Sequence, residues 1–182
     1  MDEQLQAFLS ARRPCTVTCV DWGNMPLRVV SYIGPDRPPI EYVTSVRALV
    51  FKDDSILVVH NRDERHIIPG GRREPGESLE DTLRREVLEE TGVVIETPNV
   101  LGFLHFEHLG PPPGAHPDDY PYPYPHFLQV VYRAEAGEDR PEARVHDPFV
   151  TGSEFLPVAT VRELDLSPGE QVFLEAAPGN TG

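Results

Sequence analysis

Three glutamates, Glu86, Glu89 and Glu90, fall at positions i, i+3 and i+4 of the stretch LEDTLRREVLEET. In a helix, 3.6 residues per turn brings the three carboxylates onto one side. Nothing in helix energetics favours such a cluster. Like charges at these spacings repel by roughly a few tenths of a kcal/mol per pair, and the C-terminal end of a helix is its negative pole. A solvated, salt-bridged face would place Lys or Arg four residues after each Glu, yet Glu86 is followed at that distance by Glu90. Three convergent carboxylates are well suited to a hard divalent cation, because Mg2+ and Mn2+ take carboxylate oxygens and keep several waters. Such sites grip substrate phosphates as well. Water on the cation loses its proton more readily, and the cation offsets charge developing on phosphoryl oxygens. The chemistry to expect is metal-assisted attack of water on a phosphoryl group, which needs no covalent nucleophile.

The element that positions these acids has clear boundaries. Ser78 caps a helix over Leu79–Thr91, with Asp81 three residues on as a capping-box-like partner. Glu80 and Asp81 lie in the first turn, where the helix dipole favours anions, and Gly92 suits a left-handed terminator. Leu79, Leu83 and Val87, spaced four apart, form an apolar stripe beside and partly through the acidic arc. Glu90 therefore extends a core-facing stripe instead of pointing into bulk water.

With its flanks this segment reads PGGRREPGESLEDTLRREVLEETGV, and it resembles the Nudix signature G-x5-E-x7-R-E-U-x-E-E-x-G-U, where U is a bulky aliphatic. Gly71, Glu77, Arg85, Glu86, Val87, Glu89, Glu90, Gly92 and Val93 occupy its specified positions, and Ile68, Pro69 and Gly70 resemble the family's lead-in. The resemblance implies a central mixed β-sheet between helices, with the box as loop–helix–loop. It also implies hydrolysis of a nucleoside diphosphate linked to another group, with Mg2+ or Mn2+ as cofactor. By position, Glu86 and Glu90 would be principal metal ligands, Glu89 a third ligand or the water-activating base, and the Gly70 carbonyl a further reach to metal. Glu77 and Arg85 would pair and brace the loop, while Gly71 and Gly92 would serve backbone geometry. Two other uses of the fold stay open: a catalytically silent nucleotide-sensing module, which the complete acidic triad argues against, and different chemistry such as isomerisation.

The rest of the chain supplies a frame. Residues 2–12 read as a short amphipathic helix carrying Leu5, Phe8 and Leu9, and 15–20 with 27–33 as a hairpin. Residues 43–51 and 55–60 form a second pair, followed by a loop over 61–73; strands are expected at 100–107, 127–134 and 152–155, and short helices at 161–164 and 169–176. Strands and helices mix without regular alternation, so the class is α+β (mixed α/β). The prolines at 35–39 mark a join between an N-terminal helix/hairpin appendage, residues 1–40, packed on the main fold, and a main domain over 41–178.

Outside the box, substrate phosphates are assigned to Arg47, Arg62 or Arg65, and an extra acid to Glu107, Asp118, Asp119 or Glu154. Residues 108–126 hold a proline-rich stretch that reads either as a substrate loop or as a solvated insertion. From it His116, Tyr120, Tyr122, Tyr124 and His126 are candidates to stack on a base or sugar.

A formal charge of −14 excludes a broad basic surface for nucleic acid, but not an anionic small substrate met through a cation. Cys15 and Cys19 fit no structural-zinc spacing; they read as two small residues of a strand, with a disulfide as the alternative. No Walker-type loop, G-x-S-x-G or helical H-x3-H pair occurs. With no signal-like N-terminus and no membrane-length apolar run, a cytoplasmic protein is expected. A homodimer interface over residues 1–40 is expected from family habit alone.

Overall fold

The computed structural model describes residues 2–23, 25–62, 64–111 and 123–177. In chain order the elements are α1 (Glu3–Ser10), β1 (Thr16–Trp22), β2 (Met25–Ile33), β3 (Val43–Lys52), β4 (Ser55–Asn61), β5 (Arg65–His66) and β6 (Gly70–Arg72). There follow α2 (Leu79–Thr91), β7 (Val93–His108), β8 (His126–Asp139), β9 (Val150–Pro157), α3 (Val158–Val161) and α4 (Pro168–Ala176).

One sheet runs in the order β1-β2-β7-β8-β3-β4-β5, with β6 added to β3 and β9 to β4. The β3–β8 pair is parallel and the others antiparallel, which makes the sheet mixed. Period-two alternation divides its side chains between two cores. Val46, Ala48, Val50, Val130 and Tyr132 pack with Leu5 of α1 and with Leu79, Leu83 and Val87 of α2. Leu49, Phe51, Phe106, Phe127 and Val131 pack with Val161 of α3 and with Phe173 and Leu174 of α4. The expected mixed sheet between helices is what forms. Among the described residues, no helix is long and apolar enough to cross a membrane.

Several expectations shift. The segment read as a loop over 61–73 contains β5 and β6, strands of two and three residues whose pairing is fixed by distant partners. Strand β7 begins at Val93, because register irregularities carry the ladder past Thr97, which has φ 43°. The third helix covers Val158–Val161, one turn earlier than read. The N-terminal hairpin continues the main sheet: β2 pairs with β7 from Leu27↔His108 to Ile33↔Gly102.

One irregularity of the sheet creates the site. Strands β3 and β4 pair only at Phe51↔Ile56 and Lys52↔Ser55, next to their connecting turn. Beyond that they diverge, and β3 takes β6 as its neighbour at Ser45–Arg47 while β4 takes β5 and β9. The backbone groups stay paired, with Ala48 N–H donating to the Pro69 carbonyl at 3.0 Å. A fork remains between the two strands.

Candidate active site

Helix α2 presents the acids at this fork. The Asp81 N–H donates to the Ser78 hydroxyl at 3.1 Å, and Gly92 ends the helix at φ 77° with its N–H on the Leu88 carbonyl. Leu79, Leu83 and Val87 are buried, which fixes the rotation of the helix and brings Glu86, Glu89 and Glu90 to the opening.

Each acid is held differently. Oε2 of Glu90 accepts from the Gly70 N–H at 2.9 Å, while its Oε1 lies 3.4 Å from His66 Nε2. Glu86 rests against Gly71, where any Cβ would overlap its carboxylate. Burial pushes the Glu86 carboxyl above its usual range, a shift that the adjacent Arg85 only partly opposes. Glu89 is the most exposed, its side chain 41% accessible against 22% for Glu86 and 17% for Glu90.

Arg85 ties the cluster together. Its Nε and Nη2 donate to the two carboxylate oxygens of Glu77 at 2.7 and 2.9 Å, and Nη2 also donates to the Arg72 carbonyl at 3.1 Å. Nη1 reaches Glu86 at 2.9 Å and Glu89 at 3.3 Å. The sequence reading gave Arg85 a single partner; the structure gives it three carboxylates. Hydrogen bonds from Arg85, the Glu74 N–H and the Thr82 hydroxyl hold the Glu77 carboxyl down to about 2.

The resulting cleft, about 340 Å³, collects Arg47 of β3, Asn61 of β4, His66 of β5, Gly70 of β6 and Glu86, Glu89 and Glu90 of α2. Arg47 has no ion pair within 4.0 Å among the described residues, although its charge is felt at Glu86. Asn61 Oδ1 is buried without a hydrogen-bond partner among the described residues. Asp147 closes the far wall and accepts the Phe149 N–H at 2.8 Å.

Of the residues singled out beyond the box, Arg47 enters the cleft, whereas Arg65 lines neighbouring cavities and not the cleft itself. Arg62 lies over the Phe149 ring at 6.0 Å. Glu107 pairs with Arg28 at 3.1 Å and His126 shares a 3.1 Å hydrogen bond with buried His105, on the sheet face opposite Phe106, outside both cavities. Glu154 pairs with His60 at 2.9 Å, and the Tyr124 hydroxyl donates to the Gly110 carbonyl at 3.1 Å. Tyr122, with His116, Asp118, Asp119 and Tyr120, lies outside the described residues. Asn61, His66 and Asp147 were not foreseen, and no spacing ties any of them to the box.

The NUDIX domain family model matches residues 41–177, most of the chain. The chain belongs to the Nudix family. Over 114 residues it is 28% identical to an ADP-ribose pyrophosphatase of Methanocaldococcus jannaschii, a match covering 57% of this chain and 60% of that one. Over 43 residues it is 42% identical to the oxidized purine nucleoside triphosphate hydrolase of Mus musculus, covering 24% of this chain and 28% of that protein. The chain thus spans less than two thirds of the length of these curated relatives. Among solved structures, a pyrophosphohydrolase of Bacillus subtilis superposes with a TM-score of 0.58 at 19% identity, over 82% of this chain and 89% of the other. A NUDIX hydrolase from Nitrosomonas europaea gives 0.54 at 21% identity, over 74% and 87%. At these identities the likeness is one of fold. The Nudix match begins at residue 41, so α1 and the β1–β2 hairpin lie outside it.

Proposed function

We propose that this Nudix domain hydrolyses a diphosphate bond in a nucleoside diphosphate linked to another group, with Mg2+ or Mn2+ as cofactor. A nucleoside triphosphate, a sugar nucleotide and ADP-ribose all fit that description. The observation that carries the reading is one cleft holding three box carboxylates and an arginine that has no ion pair among the described residues. The names of the relatives, a pyrophosphatase and a triphosphate hydrolase, support it.

Among the described residues, no three His, Cys, Asp or Glu side chains are already gathered around one point. The donor set nevertheless fits a hard cation. Mg2+ takes one or two protein carboxylates beside waters and substrate phosphates. Glu86 is a partly buried carboxylate whose charged form burial disfavours, a penalty that a bound cation relieves. Glu86 and Glu90 would hold the ion, with the Gly70 carbonyl as a further donor. The ion would lower the pKa of attacking water and offset charge on the phosphoryl oxygens. The chain's own groups do the rest. Arg47 receives a phosphate, Arg85 and Glu77 hold the carboxylates in place, and Glu89, the most accessible of the acids, takes the proton of the attacking water.

The test is formation of nucleotide products, resolved by chromatography, from a panel of nucleoside triphosphates, sugar nucleotides and ADP-ribose, with Mg2+ and with chelator. Activity with at least one substrate, lost on chelation and lowered about 100-fold or more by Glu90→Gln, is expected. Activity indifferent to chelator and to that substitution would sink the metal-hydrolase reading.

A further inference from the structure

Arg47, Asn61 and His66 border not only the acid cleft but also a second cavity of about 710 Å³. Its walls are mixed: Val20 and Trp22 of β1, Phe106 of β7, Ile68 and Leu166 form an apolar part, and Glu64, Arg65 and Asp165 a polar one. Alternation along β8 puts Gln129 on this face, with Phe127 and Val131. Gln129 is 6% exposed and lines the cavity, yet its carboxamide has no hydrogen-bond partner among the described residues. The Ser45 hydroxyl, on its register partner in β3, is also buried without a partner. Nearby Glu170 is committed, accepting from the Ile67 N–H at 2.9 Å, the Ser167 N–H at 3.0 Å and the Ser167 hydroxyl at 2.7 Å.

Buried amides are almost always hydrogen-bonded, so one aimed into a cavity marks a place for a ligand. Two aromatic side chains, Trp22 and Phe106, and a carboxamide in one cavity match a flat heteroaromatic ring, apolar on its faces and polar along its edge. We propose that this cavity seats the substrate's nucleobase and that Gln129 selects it, its C=O and NH2 meeting a donor and an acceptor on the ring edge. The ring lies against Trp22 and Phe106, and Arg47 stands between it and the glutamates. The inference rests on the diphosphate-hydrolase reading and deepens it. Trp22 comes from outside residues 41–177, so the N-terminal hairpin takes part in specificity.

Trp22 is the only tryptophan in the chain, so its fluorescence reports occupancy without turnover. Wild-type protein in Mg2+ buffer is titrated with AMP, GMP, CMP and UMP, with ribose 5-phosphate as the ring-free control. Saturable quenching by at least one nucleoside monophosphate and none by ribose 5-phosphate is expected. Gln129→Met and Gln129→Leu should weaken the preferred base about 10- to 100-fold and flatten the ranking. Neither should lower the melting temperature, since an unpartnered amide is being replaced by an apolar side chain. No quenching by any nucleotide, equal quenching by ribose 5-phosphate, or an unchanged ranking in both variants overturns the assignment. The two readings fail separately. Base-dependent quenching without hydrolysis of any panel member removes the hydrolase reading alone, and hydrolysis with base-blind binding removes this one.

Discussion

The carboxylate of Glu86 occupies the space that a side chain on Gly71 would fill. Two box residues that the linear motif sets far apart are thus in direct contact. Gly71 is required for its lack of a Cβ, whereas Gly92, at φ 77°, is required for its backbone conformation.

Gly71→Ala should therefore act on turnover through Glu86. A methyl group there forces the carboxylate aside, and overpacking of this kind costs about 1–3 kcal/mol in stability. Misplacement of a ligand by about 1 Å lowers turnover roughly 100-fold. Urea melts and kcat measured on the same preparation separate the two effects; wild-type turnover in this variant would mean that Glu86 is not needed where it stands.

Arg85→Lys keeps the charge but loses the planar fork that meets both oxygens of Glu77 while reaching Glu86 and Glu89. Turnover should fall about 10- to 100-fold, with a higher Mg2+ requirement, as for groups that orient metal ligands. Glu77→Gln should act in the same direction. The double variant should cost less than the two single losses combined, because both remove one shared contact; strict additivity would contradict the pairing.

Arg47→Ala removes the phosphate partner proposed for the cleft without touching the carboxylates. KM for the preferred substrate should rise about 10-fold with a smaller change in kcat, the pattern of lost ground-state binding. Steady-state kinetics at saturating Mg2+ decide it, and a pure kcat effect would instead place Arg47 on the transition state.

Away from the site, the buried His105–His126 pair makes stability depend on pH. Burial, with His126 beside it, lowers His105 to about 4 from an ordinary 6.5. Above pH 6.5 both the folded and the unfolded chain leave this ring neutral. As pH falls from 6.5 to about 4 only the unfolded chain takes up the proton, so stability declines, by roughly 3 kcal/mol in all from this one group. Urea midpoints between pH 7.5 and 4.5 should show the decline, and His105→Gln should flatten it.

How far the sequence could be read depended on the range of the forces involved. Helix α2 was legible to the residue because Ser78, the stripe from Leu79 to Val87 and Gly92 are all local signals. Strands β5 and β6 were not, since a strand of two or three residues is defined by partners far along the chain. The box carboxylates were readable from their spacing, but Asn61, His66 and Asp147 join them only through the fork. Glu107 and His126 illustrate the reverse. Glu107 reads as the end of a strand and His126 as part of the proline-rich stretch. His126 in fact opens β8, alternation sends both to the face opposite Phe106, and only packing reveals which face borders the cavities. Nothing in the sequence sets Gln129 apart from its strand; its place in the cavity does.

The site is encoded by a ladder left unfinished. Neighbouring strands zipped along their full length stand about 4.8 Å apart, which leaves no width for a phosphate group between them. Two register pairs beside the Asp53–Asp54 turn, where Asp53 sits at φ 53°, are all the zipper that β3 and β4 possess. Changes at that turn, remote from every carboxylate, would accordingly set the bore of the cleft. A substitution that let the two strands close further would silence the protein with its whole box intact.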